Sequence, residues 1–140
     1  MIRLKFCTID VRDGAVWTTF PDSSTSANWP PLDDASYVRV ARECGFTDLM
    51  RYCLAHEVCH AAVPEMLFDR PSYVVSMAAQ NRKQNLAAAM AEERLCYYVQ
   101  RAACGALPVA DPQWDDVIAV LDRYGLCGDP TVACEDLVAA

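Results

Sequence analysis

Histidine is nearly missing from this chain of 140 residues: it has two, His56 and His60, four positions apart. No apolar run approaches the roughly 20 residues that cross a bilayer as a helix. The opening Met1-Ile2-Arg3-Leu4-Lys5-Phe6 alternates apolar with basic residues, unlike the basic start and continuous apolar stretch of a secretory leader. Eight cysteines are present, yet no two are spaced C-x-x-C, and several fall on apolar faces of expected helices. They read as small core hydrophobes in a reducing cytoplasm and not as a disulfide framework. Basic residues number 12 against 19 acidic ones, for a net charge of -7. That balance repels phosphate backbones and anionic lipid, so neither nucleic acid nor membrane is an expected partner. There is no internal repeat, and residues 1–140 make one ordinary domain, long enough to bury a core.

What is there is His56-Glu57-Val58-Cys59-His60, inside a stretch that reads as helix. On an α-helix, residues four apart lie about 40° apart around the axis, so both imidazoles project from one face and can reach a single ion. Glu57 points off that line, too far round to share the bond easily but close enough to hold a water beside the ion. Two imidazoles with an acid between them are costly to bury without a cation. The pattern points to zinc hydrolase geometry, with His56 and His60 as ligands and Glu57 as general base.

Around this stretch the chain predicts a small sheet and several helices. Ile2, Leu4 and Phe6 alternate with Arg3 and Lys5, and the apolar parity then flips to Ile9 and Val11, which predicts a strand with a bulge near Cys7-Thr8. Asp13-Gly14 is a tight hairpin turn, and residues 15–20 form the returning strand. Residues 21–31, rich in proline, serine and threonine, read as a loop. Asp33 or Asp34 caps a helix over Ala35 to Glu43 closed by Cys44-Gly45, and Thr47 caps the next, which carries the motif and stops near Pro64. Along that helix Leu49, Cys53, His56, His60 and Val63 form one inward stripe. Ser72 to Gln80 reads as a helix, Asn81 to Asn85 as a polar break, and Leu86 to Cys104 as a long helix ended by Gly105. Asp111-Pro112 and Asp129-Pro130 each open a further one.

A catalytic zinc takes three protein ligands and leaves one position for water, and no third histidine exists. The long helix offers Glu92 and Glu93, and it can return against the motif helix. Glu92 has Ala88, Ala89, Leu95, Cys96 and Val99 around it, so its carboxylate needs a partner, and a divalent ion suffices. Glu93, among Ala89, Met90, Cys96, Tyr97 and Gln100, is nearly as enclosed; the facing argument favours Glu92 and keeps Glu93 as the alternative. Arg94 or Arg101 are other partners for either acid. Cys53 and Cys96 are thiol alternatives that would give a closed, structural site.

These residues resemble the gluzincin branch of the zincin-like metallopeptidases, whose signature is H-E-x-x-H on one helix and a glutamate ligand on a later one. Here the signature falls on His56, Glu57, His60 and either Glu92 or Glu93. The chain looks most like the very small single-domain members of phage or bacterial type, and the likeness covers about residues 47–104. A metzincin would need glycine and histidine where Val63 and Met66 stand. The histidine with which the large thermolysin-like enzymes steady the transition state has no counterpart.

The resemblance implies an α+β, zincin-like fold, mostly helical, with an N-terminal β-hairpin or small sheet packed on the motif helix. It also implies Zn2+ as cofactor, hydrolysis of a peptide or protein substrate, and a substrate strand along a sheet edge, with residues 2–20 as platform. Glu57 would take a proton from water and return it to the leaving amine. Tyr97, Tyr98, Tyr73 and Arg94 are the donors near enough in sequence to steady the oxyanion, and Tyr97 is the expected one. The rival expectation is a non-catalytic protein whose zinc holds the core together or whose fold binds a regulatory partner. Glu57 separates the two, because a purely structural site has no use for an acid there.

Overall fold

In the computed structural model, residues 1–76, 86–105, 107 and 111–129 are described. Four strands come first, β1 (Ile2–Arg3), β2 (Thr8–Arg12), β3 (Ala15–Thr19) and β4 (Thr25–Asn28), in an antiparallel meander of that order. Asp13 and Gly14 turn the chain between β2 and β3 at φ 50° and 75°, the positive angles a tight hairpin needs. The parity flip before Thr8 is a chain reversal and not a bulge: Leu4 N–H donates to the Cys7 carbonyl, and Ile2 pairs with Ile9. Residues 21–31, read as loop, contain β4. Its Ser26 and Thr25 face Thr18 and Thr19 of β3, a polar pairing that leaves no apolar alternation to detect.

Helix α1 (Ala35–Glu43) is capped by Asp34, whose carboxylate accepts from Ser36 and Tyr37 N–H. Helix α2 (Leu49–Phe68) is capped by Asp48 and not by Thr47, and it does not stop at Pro64. The proline ring removes the N–H that would reach the His60 carbonyl, at a cost of about 3 kcal/mol. Burial along the helix outweighs that loss, and the helix ends four residues later at Phe68, capped by Asp69 in the left-handed conformation. Short α3 (Tyr73–Ser76), α4 (Leu86–Ala103), a 3-10 turn over Pro112–Trp114 capped by Asp111, and α5 (Asp115–Arg123) follow. The rest of the helix expected to Gln80, the break at 81–85, the helix expected after Asp129-Pro130 and Cys134 lie outside the described residues.

The molecule is α+β, with α2 as its axis. Ile2, Ile9 and Val16 of the sheet and Ala41 of α1 pack on Tyr52, Cys53, Ala55 and Val58. From the other side Cys96 and Val99 of α4 and Val117 of α5 pack on Cys59, Ala62 and Val63. Burial of Val58 and Val63 contributes about 2 kcal/mol each. Having neighbours on both sides, α2 is buried nearly all round from Tyr52 to Pro64, where the sequence predicted a single inward stripe. Glu65, near its end, accepts from the Lys5 and Phe6 N–H groups and fastens the β1–β2 reversal to the helix. Among the described residues no helix is long and apolar enough to cross a membrane.

Candidate metal centre

The site is made where two turns of α2 cross α4. His56 meets Gln100 and Glu93, and His60 meets Glu92, so rising numbers on one helix pair with falling numbers on the other. The helices run antiparallel, which brings the His-Glu-x-x-His motif and the Glu92-Glu93 pair to one level.

Both imidazoles turn the same nitrogen toward each other. His56 Nε2 and His60 Nε2 are 3.0 Å apart, and the Glu93 carboxylate reaches both, Oε1 at 2.8 Å from His56 and Oε2 at 3.0 Å from His60. The outer nitrogens are occupied. His56 Nδ1–H donates to Gln100 Oε1 at 2.7 Å, and His60 Nδ1–H donates to Glu92 Oε2 at 2.9 Å. A carboxylate and an amide oxygen only accept, so each ring carries a proton on Nδ1, and both Nε2 atoms converge on Glu93. Two ring nitrogens and a carboxylate facing one point need positive charge between them, which a proton on the imidazoles or a metal ion can supply. His56, His60 and Glu93 form a group whose ligand atoms lie within 4.8 Å of one another and could hold a metal ion.

The electrostatics agree with that reading. Burial pulls the His60 pKa down, but Glu92 and Glu93 outweigh it and lift it to about 10. Burial pushes Glu93 up, and the two imidazoles overcome it, holding the carboxyl well below the ordinary range. Each group is set up to pair with charge.

Glu92, preferred in sequence as the third ligand, lies outside the group of His56, His60 and Glu93 that could hold an ion. It is 5% exposed and does need a partner, as its apolar helix neighbours required, yet the partners are four donors and not an ion. Oε2 accepts from His60 Nδ1, from Ser72 Oγ at 2.6 Å and from Val74 N–H at 3.2 Å, and Oε1 accepts from Tyr73 N–H at 2.8 Å. Glu92 therefore orients His60 from behind. The thiol alternatives also stand aside. Cys96 Sγ is 3.6 Å from His60 Nδ1, on the outer side of the ring, and Cys53 points to the Asn28 carbonyl at 3.9 Å.

Glu57 is 7% exposed, and among the described residues its carboxyl has no hydrogen-bond donor. Burial raises its pKa, and the two imidazoles partly offset the rise. Tyr97 lies one turn beyond Glu93, its ring 5.3 Å from that of His56. Tyr98 instead faces Trp114, and Tyr73 faces Arg70.

Three contributors went unread in the sequence. Gln100 lies seven residues after Glu93, two helical turns on, and a polar residue on the face of a buried acid is the signal that could have found it. Ser72 had none, because nothing local says that the chain after α2 returns to Glu92. Tyr37, whose hydroxyl meets Cys53 and lies near Glu57, comes from α1 and had none either. No protein-family model, no curated protein and no solved structure matches the chain. Its function has to be argued from the centre itself.

Proposed function

We propose that the protein is a zinc-dependent peptidase of gluzincin type, with His56, His60 and Glu93 holding the metal and Glu57 as general base. The observation that carries this reading is the convergence of two Nε2 atoms and one carboxylate, with a second acid, Glu57, next to His56, buried and without a hydrogen-bond donor among the described residues. Two imidazoles and a carboxylate are a donor set that suits zinc. Zinc bound there supplies the positive charge that acidifies a water and polarises a carbonyl. Glu57 takes the proton from the water and delivers it to the leaving amine as the C–N bond breaks. The burial that raises the Glu57 pKa is opposed by that nearby positive charge, which favours the ionised base. Tyr97 is the proposed donor to the oxyanion, and the sheet is the proposed platform for an extended peptide.

Glu57→Gln tests the reading. The variant should bind zinc as the wild type does and hydrolyse a quenched fluorescent casein at least about a thousandfold more slowly. His56→Ala should lose metal and turnover together. Hydrolysis retained in Glu57→Gln would overturn the mechanism. A wild-type chain that binds zinc, gains thermal stability and turns over nothing would favour a structural metal.

A further inference from the structure

Away from the metal centre, the ends of α1 and α4 bring two thiols together. Cys44 caps α1 and Cys104 follows α4; they are 0% and 2% exposed. Cys104 S–H donates to the Cys44 carbonyl at 2.7 Å, and the two thiols also contact each other. Arg101, one turn before Cys104, pairs with Glu43 at 3.7 Å; the guanidinium favours the Cys44 thiolate, and the Glu43 carboxylate opposes it more weakly. The segment that covers the pair is main chain. At Gly128 a Cβ would come within 1.6 Å of the Cys44 carbonyl oxygen and 2.5 Å of Cys104 Sγ, so only glycine fits there. Asp129 N–H donates to the Gly45 carbonyl and fastens this segment over the thiols.

We propose that Cys44 and Cys104 are a paired modification site, at which a peroxide forms a disulfide joining the end of α1 to the end of α4. Cys44 is the attacking thiol. The Cys104 thiol and then the Arg101 cation draw its pKa down against the effect of burial, whereas its contact with Cys44 and then burial hold the Cys104 thiol high. Low-pKa thiols react where solvent reaches them, so oxidation of this buried pair requires the covering main chain at Gly128 and Asp129 to open. The Cys44 thiolate attacks one peroxide oxygen, an S–O bond forms, the O–O bond breaks, and the departing hydroxide is protonated to water. The Cys104 sulfur then attacks the sulfenic sulfur. The S–S bond forms as S–O breaks, and the second hydroxide leaves with the Cys104 proton as water. Each sulfur loses one electron, and the peroxide is reduced to two waters. Cys59 and Cys96 form a second thiol pair in the α2–α4 core, where burial and then the Cys59 thiol push the Cys96 thiol up.

The full-length chain treated with hydrogen peroxide, alkylated and digested without reductant tests this. The expected product is a linked peptide pair containing Cys44 and Cys104, with Tm about 10 °C higher for a bridge across 60 residues, and both reversed by dithiothreitol. Cys44→Ala and Cys104→Ala should each abolish the linked pair, and Cys127→Ala should retain it. The wild-type digest decides the matter even if a variant does not fold. A bridge between Cys59 and Cys96 or between Cys104 and Cys127, sulfinic acids with no bridge, a bridge formed only in denaturant, or no oxidation at all would each overturn the assignment.

Discussion

The back and the front of the candidate metal centre are built from the same two helices by opposite means. At the back, His60 is 1% exposed and its carboxylate partner Glu92 is bound by three further donors from residues 72–74. At the front, His56 is 8% exposed, its outer partner is a neutral amide, and Glu93, the ligand candidate, has a side chain 36% exposed and is held by the imidazoles. Two adjacent carboxylates thus differ: one is fixed by the protein and orients an imidazole, while the other turns its oxygens to the point where an ion could sit. What tells them apart is the donors around each, since both are acidic and both face α2.

The sharpest way to break this comparison is to change each acid in turn and measure zinc affinity by chelator competition. Glu93→Gln should lower affinity by more than about 100-fold, beyond the range of an outer partner. Its effect on the metal-free fold should stay within about 1 kcal/mol, because the side chain is part exposed. Glu92→Gln should lower affinity by about 10–100-fold and also destabilise the metal-free chain by about 2 kcal/mol. The amide gives up a charge-assisted acceptor and offers a donor where only donors point. If the two variants exchange these behaviours, Glu92 is the ligand and the two roles are reversed.

This pair of acids also marks how far the sequence could be read. His56, Glu57 and His60 are one helical pattern, so their common level needed only the 3.6-residue period, and the Asp13-Gly14 hairpin and the extent of α4 were legible for equally local reasons. The facing argument recognised that Glu92 is enclosed and needs a partner. It could not see that residues 72–74 fold back to be that partner, since this is a tertiary contact with no local mark. The same limit hid β4, whose pairing with β3 is written in no alternation of its own, and the continuation of α2 through Pro64, where packing on both sides overrides a residue that by itself breaks helices. Gln100 was within reach, for it stands on the Glu93 face at helical spacing.

The smallest expected effect comes from making the front resemble the back, with Gln100→Glu. Two consequences oppose each other. A carboxylate accepts the His56 Nδ1 proton more strongly than an amide does, which makes Nε2 a better donor and should tighten zinc by up to about tenfold. The substitution also removes the buried Gln100 Nε2, which has no hydrogen-bond partner among the described residues, but it adds a negative charge beside His56, on the same helix as Glu93. The metal-free variant should therefore melt below the wild type in chelator and recover most of the difference when zinc is added. Both signs matter, because a Gln100 that served only as filler would give a lower Tm with unchanged affinity. If affinity falls, the amide is not orienting His56, and the symmetry between the two outer nitrogens is one of distance alone.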